Sequence, residues 1–570
     1  MMESVLLFVR LIWGINMIVC YTDSENIIRL RWRDEEGNRK SEDVSDFRPY
    51  FFIKSDEIEY PYYAIKQGRT KVAVNYQYEH GDWVNLNGQS LKKVIVEKSY
   101  DMKTAKSKWE DTYEADVKFH YRYCVDKLHD MPEYKLKKWY WDMEWLPLEH
   151  EHGDAITTIV MYDNYTEKYT TYVWFPEERL VEFSEDIRVF NTEQELLLAF
   201  AGDMMKADPD MLIAWFGLKF DLPKLIERMA HNSIDPRILS PYHEVKGVGF
   251  RNSKFTIGKV VNNYGPIQQP IRGRITLNLD LAFERQWNDA QRGTLPSLSL
   301  DYISTEVLGE KKLVSEKFPD KNEFFLKAWL EDTETYLDYA KKDVELMVRI
   351  DEENYTSEAI LSLQRLLKAP FDACFYASNM GSIYFMRNAS WKAPTGKKVE
   401  NRVEYEGAMI YDPLSEGTNG LHFNVAAFDF AGLYPSMMVA RNISWETKSV
   451  NPTEFAVNIL TPRDFSECEH KSMLYYKTDK LGLLPSAVLE LKELRNDYKR
   501  RMKEAYVKED KAEYAKWNNN QMAVKRLMAS FYGVTAFQGF GWADVDIAAS
   551  ITASAREAIR EAAFKAKEME

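Results

Sequence analysis

The sequence predicts an α/β chain, of the α+β multidomain kind, and three observations predict it. Its 570 residues exceed what one core supports, since single cores stop growing near roughly 250 to 300 residues. Hydrophobic residues at 45% and aromatics at 14% supply surface for several cores, while 25 Gly and 20 Pro leave little material for long linkers or fibrous repeats. Short β-branched and aromatic runs alternate with stretches of helical length, so strands and helices interleave.

Taken in order, the first apolar stretch, residues 5–20, has the look of a signal h-region. No cation precedes it, Glu3 is acidic, Arg10 interrupts it and no small-residue cleavage site follows. A spanning helix needs about 20 clean apolar residues, which this stretch does not supply. A strand-rich start at Met17 is expected instead, with residues 1–16 an artefact of start-codon choice. Strands 27–32 and 50–53 flank the acidic turn Asp34-Glu35-Glu36-Gly37, and a polar helix over 102–115 closes this section. Strands 139–145, 155–162 and 169–175 follow, then helix 193–206, strand 211–216 and helix 223–230. That β-β-β-α-β-α order is an RNase H-like layout, a mixed sheet flanked by helices.

Charge and cysteine usage narrow the function classes. With 75 basic and 89 acidic residues the net charge is −14, so any surface for nucleic acid is local. The run Lys492, Arg495, Lys499, Arg500, Arg501 and Lys503, set against Glu493 and Asp497, is either such a surface or a solvated helix face. Cys20, Cys124, Cys374 and Cys468 form no CxxC pair, which points away from a zinc site or disulfide framework and toward a reducing setting. His150 and His152 sit in an acidic loop and are expected as surface histidines.

The chemistry starts at Asp142-Met143-Glu144. Strand side chains alternate, so these carboxylates share a face and can share one divalent ion. A surface strand is the plain alternative, but the pair lies among Trp139, Tyr140, Trp141 and Trp145, where carboxylates lose hydration unless a cation offsets it. Asp221 follows a buried strand, and Asp343 lies in the helical run 336–350, four residues after Tyr339 and so on the same helix face. Four carboxylates suit two-metal phosphodiester hydrolysis, with Tyr339 orienting the water. Further on, Asp429 ends an apolar strand at 424–429 and is either a helix N-cap or a ligand. Gly482 opens a long helix bearing Arg495 and Lys499, and a second helix carries Lys525 and Tyr532. These cations lie on facing stripes able to clamp a triphosphate.

In order and spacing, these pieces resemble the 3′-to-5′ proofreading exonuclease and polymerase of family B DNA polymerases. Asp142 and Glu144 match the first exonuclease motif, Asp221 the second, and Tyr339 with Asp343 the third; the segments 273–280, 298–302 and 308–311 also resemble family sequence. Phe216 stands where the second motif carries Asn, which puts a DNA contact in doubt but not metal binding. Residues 424–436, ending Asp429-Phe430-Ala431-Gly432-Leu433-Tyr434-Pro435-Ser436, resemble palm motif A, with Gly432 for the usual Ser. The stretch from Lys525 to Gly533 resembles fingers motif B, with Ala529 for the family Asn. Tyr405-Glu406-Gly407-Ala408 resembles the Y-x-G-G element, with Ala408 for the second Gly.

The resemblance implies metal ligands at Asp142, Glu144, Asp221, Asp343 and Asp429, two Mg²⁺ or Mn²⁺ ions per active site, and catalytic roles for those residues and Tyr339. It implies nucleotide contacts at Leu433, Tyr434, Arg495, Lys499, Lys525 and Tyr532, with Tyr434 packing under the sugar. Implied domains are 1–136 with 356–400 (amino-terminal), 137–355 (exonuclease), 401–480 with 538–570 (partial palm) and 481–537 (two-helix fingers). The acidic turn, residues 47–51 and short fingers look closest to polymerases of T-even-type bacteriophages, which implies the host cytoplasm as location and no membrane. The second palm motif, Y-x-D-T-D, has no counterpart in place. Asp544-Val545-Asp546 is expected to cap helix 547–567 instead. The chain thus looks like the amino-terminal part of a split polymerase, and a truncated sequence would look the same. Its implied partners are primer-template DNA, dNTPs, a carboxy-terminal chain supplying the second palm aspartate and thumb, and, through that chain, a sliding clamp. The alternative is a stand-alone exonuclease whose fingers bind DNA.

Overall fold

The computed structural model describes residues 19–568 apart from 24, 68–69, 132–134, 178–183, 252–253, 290–292, 398, 400–401, 408, 410–419, 422, 424, 426–428, 450–455 and 463–470. The expectations for residues 1–16, for Ala408, for Cys468 and for most of the strand leading to Asp429 therefore lie outside the described residues. The chain divides into two compact units, Met1–Ser45 with Leu128–Phe375, and Asp46–Lys127 with Tyr376–Glu570.

The first unit is built on a six-stranded mixed sheet in the order Ile187–Phe190, Lys168–Trp174, Ile156–Asp163, Lys138–Trp145, Met211–Ala214, Ile275–Asn278. The three expected strands form the antiparallel middle, and the flanking pairings are parallel. Residues 187–190, not foreseen as a strand, complete one edge.

Strand Lys138–Trp145 is interior, so both its faces must be covered. Trp139 and Trp141 turn toward Phe200 of helix Glu193–Ala207, with ring centroids 6.2 and 5.9 Å apart. Tyr140, Asp142 and Glu144 therefore point to the opposite face, beside helix Thr333–Asn354. Thr192 caps the first of these helices by accepting from Glu195 N, and Asp208 ends it in a left-handed conformation.

The amino-terminal strands Val19–Thr22, Ile28–Arg33 and Arg39–Val44 form a small antiparallel sheet. It is tied in by Arg31 to Asp208 (2.6 Å) and Arg33 to Asp210 (2.5 Å), with Arg39 and Arg274 on Asp208 as well.

The second unit contains the sheet Tyr50–Lys54, Ser90–Ile95, Gln77–Val84, the hairpin Tyr62–Gln67 with Thr70–Asn75, and a three-stranded sheet of Lys448–Ser449, Lys471–Lys477 and Ala456–Pro462. The expected helix 102–115 is a single short helix, Met102–Lys106. Beyond it Trp109 turns into an aromatic cluster with Phe51, Tyr60 and Tyr76. Tyr113 exchanges both backbone hydrogen bonds with Phe52, so strand pairing wins over helix continuation.

The two expected long helices appear as Leu483–Val507 and Lys511–Ala536, packed as a helical hairpin. Asn442 fixes its entry, accepting from Gly482 N at 2.9 Å while its amide donates to the Lys477 and Lys480 carbonyls. Asp510 caps the second helix by accepting from Glu513 N.

Candidate active site

In the first unit a cavity of about 430 Å³ is lined by Asp142, Glu144, Asp221, Tyr339 and Asp343. One carboxylate oxygen from each of Asp142, Glu144 and Asp343 lies within 4.8 Å of the other two. The sheet supplies the first two from its interior strand, and the helix supplies Tyr339 and Asp343 one turn apart. Asp221 stands in the first turn of helix Asp221–His231, after a tight loop in which Leu222 N donates to the Gly217 carbonyl. The side chain of Asn278 accepts from Leu218 N at 2.9 Å and fixes that loop.

Like charges so close repel by about 3 kcal/mol per pair at an effective dielectric constant of about 20. The recess also denies them hydration. Burial, then Asp221, Glu144 and Asp343, hold the Asp142 carboxyl well above the usual carboxylate range. Burial and Asp343 push Glu144 up to about 8, and burial pushes Asp221 up to about 7. Asp343 is also raised by burial, against the pull of Lys312.

Lys312 was not foreseen: its ammonium donates to Asp343 Oδ2 at 2.5 Å and lies 5.5 Å from the centre of the Tyr339 ring. It follows the quoted run 308–311 by one residue, but in a loop with no periodicity to reveal its direction. Asp343 Oδ1 is buried with no hydrogen-bond partner. An orphaned carboxylate oxygen within a cluster of acids suits a divalent cation, so Asp142, Glu144 and Asp343 fit such an ion, with Asp221 lining the same cavity. Phe216 lies at the same cavity, edge-on to Phe220 with ring centroids 6.1 Å apart. His150 and His152 are not free surface groups, because both rings pack against Trp329.

In the second unit the tyrosines of three separated motifs meet. The Tyr434 and Tyr532 rings lie 4.7 Å apart, and the Tyr405 and Tyr532 hydroxyls are 2.8 Å apart. Arg556, also not foreseen, donates to the Glu406 and Gly407 carbonyls and holds that segment in place. Leu433 opens helix Leu433–Ala440 directly after Gly432, whose φ of +64° is a left-handed turn that suits glycine. Lys499 has its ammonium pKa lowered by Arg495 first, then by burial, Lys503 and Lys525, so the two helices present one cationic face.

Asp429 is exposed and, among the described residues, joins no acidic cluster. Asp544 Oδ1 accepts from Asp546 N at 3.0 Å and Ile547 N at 3.3 Å, the capping expected at the D-x-D, on a helix that runs Val545–Glu568 where 547–567 was expected. Lys448 pairs with both aspartates. Among the described residues no helix is long and apolar enough to cross a membrane.

The fold has a solved counterpart. It superposes on the family B DNA polymerase of the archaeon Pyrobaculum calidifontis with a TM-score of 0.71, at 18% identity over 98% of this chain and 72% of that one. Residues 376–569 match the family model of DNA polymerase family B. It is 26% identical to a DNA polymerase of Pyrococcus glycovorans over 96% of its own length and 67% of the relative. It is 28% identical to the DNA polymerase delta catalytic subunit of Arabidopsis thaliana over 66% of its length and 33% of that protein. The chain thus spans between a third and about two thirds of these curated relatives, and about half (53%) of a Thermococcus polymerase that is 27% identical.

Proposed function

We propose that the chain is the amino-terminal portion of a family B DNA polymerase whose first unit is an RNase H-like 3′-to-5′ proofreading exonuclease. The observation that carries the exonuclease is the meeting of Asp142, Glu144 and Asp343 at one cavity with Asp221 and Tyr339. When bound there, divalent ions lower the pKa of water and neutralise charge on the phosphate. The four carboxylates hold the ions, Tyr339 orients the attacking water with its hydroxyl, and Lys312 balances the acidic floor. Magnesium or manganese is the cofactor by donor chemistry.

In the same proposal Tyr434 and Leu433 contact the incoming deoxynucleotide, Tyr532 supports Tyr434, and Arg495, Lys499 and Lys525 grip its triphosphate. Asp429 binds metal. The domain division proposed from sequence is kept, as is the affinity with T-even-type bacteriophage enzymes that act in the host cytoplasm. Two observations support synthesis in concert with a carboxy-terminal partner chain, through which a sliding clamp is engaged. Asp544 is committed to a helix cap and Lys448. Around Asp429 the side chains of Leu421, Phe423, Val425 and Phe430 are exposed, an apolar surface that palm strands would cover.

The test is degradation of single-stranded DNA labelled at its 5′ end, with Mg²⁺ or Mn²⁺. Shortening from the 3′ end is expected, and Asp142→Ala with Glu144→Ala should reduce the rate at least 100-fold by removing metal ligands. An unchanged rate in that variant rejects the site.

A further inference from the structure

Two buried phenols bracket the acidic cluster, and neither is part of it. Upstream on the carboxylate strand, Tyr140 donates to Asp351 Oδ2 at 2.5 Å. Asp351 is in turn held by Ser357, whose backbone N–H and hydroxyl each donate to it at 2.6 Å. Lys138 closes this end by donating to Ser357 Oγ at 2.8 Å and Glu358 at 2.9 Å. At the other end the Tyr336 and Thr157 hydroxyls are 2.8 Å apart, and Thr157 donates to the Glu144 carbonyl at 3.1 Å. Since the Thr157 proton is used on that carbonyl, Tyr336 is the donor to Thr157.

The spacing of these clasps is informative. On the strand, Asp142 is two residues from Tyr140 and two from Glu144. On the helix, Asp343 is seven residues after Tyr336 and eight before Asp351. The helix is therefore fastened about 10 to 12 Å on either side of Asp343, at 1.5 Å per residue. The strand is fastened on either side of Asp142.

We infer that Tyr140 with Asp351, and Tyr336 with Thr157, are positioning residues that fix the separation of Asp142 and Glu144 from Asp343 and so preset the divalent-cation site. The inference rests on the metal-binding part of the proposed exonuclease. Its physical reason is that the carboxylates, once ionised to take up a cation, repel one another and drive strand and helix apart. Only attachments outside the cluster can resist this without filling the ligand positions. A pre-set cage binds the ion without first paying for its own assembly.

Phenylalanine at either position keeps the packed ring and removes only the hydroxyl. Tyr140→Phe, Tyr336→Phe, the double variant and the control Tyr162→Phe are titrated with Mn²⁺, following free Mn²⁺ by electron paramagnetic resonance, with no DNA present. Each single variant is expected to weaken Mn²⁺ binding by about 10-fold, the range for residues that orient ligands, and the double variant by more. At saturating Mn²⁺ the rate on single-stranded DNA should stay within about threefold of the parent, and Tyr162→Phe should match the parent throughout. Parental Mn²⁺ affinity in the double variant overturns the inference. So does a lowered melting temperature and rate with affinity unchanged, which would make the phenols packing groups only. If the parent binds Mn²⁺ through Asp142 but degrades no DNA, the exonuclease fails while the pinning stands. If Mn²⁺ binding is indifferent to Asp142→Ala, both fail.

Discussion

At the scale of single residues, burial and mutual proximity raise the carboxylates of the first unit above their ordinary range. Glu144 keeps its proton to about pH 8 and Asp221 to about pH 7 in the folded chain, against 4.5 and 3.8 for the ordinary groups. Between those limits the folded state binds more protons than the unfolded one, so stability falls as pH rises through the window. Melting temperature measured in EDTA should therefore decline from about pH 5 to pH 8, and the stabilisation conferred by added Mn²⁺ should grow over the same range. A flat or rising profile in EDTA would contradict the crowded cluster. Lys312 lowers the pKa of Asp142, Glu144 and Asp343. Lys312→Met should accordingly move the alkaline rise of exonuclease activity upward by about one pH unit, a cost on the order of 1.4 kcal/mol. In the second unit, Tyr434→Ala removes a ring packed on Tyr532. In an enzyme reconstituted for synthesis it should raise ribonucleotide incorporation relative to deoxyribonucleotide, measured by alkaline cleavage of the product, whereas parental discrimination would place the sugar contact elsewhere.

At the scale of elements, local sequence and packing agree in most places and the exceptions are instructive. The strand 138–145 reads correctly because its alternation matches the two faces of an interior strand, tryptophans to one helix and carboxylates to the other. The stretch 102–115 has helical composition but breaks after Lys106, because Trp109 and Tyr113 gain more from the aromatic core and from strand pairing with Phe52. Helix Val545–Glu568 begins two residues before the expected 547, with Asp544 accepting from the first turn and gripping Lys448. Asp544→Ala should destabilise the second unit by about 1 kcal/mol in chemical denaturation, the usual loss for a capping residue, and Asp544→Asn by less. Loss of primer extension by the reconstituted enzyme in Asp544→Ala without loss of stability would mean that the aspartate is more than a cap.

At the scale of the whole molecule, the two units carry different halves of the proposed enzyme. Primer extension should be absent with the chain alone and appear when it is co-expressed with a chain supplying a second palm aspartate and thumb. Extension by residues 1–570 alone, lost on Asp546→Ala, would reject the partner and make the D-x-D catalytic. The sequence by itself determined the mixed α/β class, the carboxylate pair on one strand face, the phenol and carboxylate one helical turn apart, and the helical hairpin with its cations. Each is set by a period of two or 3.6 residues and is legible locally. Only the tertiary structure decided that Asp142 and Asp343, 201 residues apart, face each other. The same holds for Lys312 reaching Asp343 from a loop, for Arg556 holding the Tyr405 segment, and for the phenol clasps at Asp351 and Thr157. Those contacts depend on which faces pack together across long loops, and no local period records that.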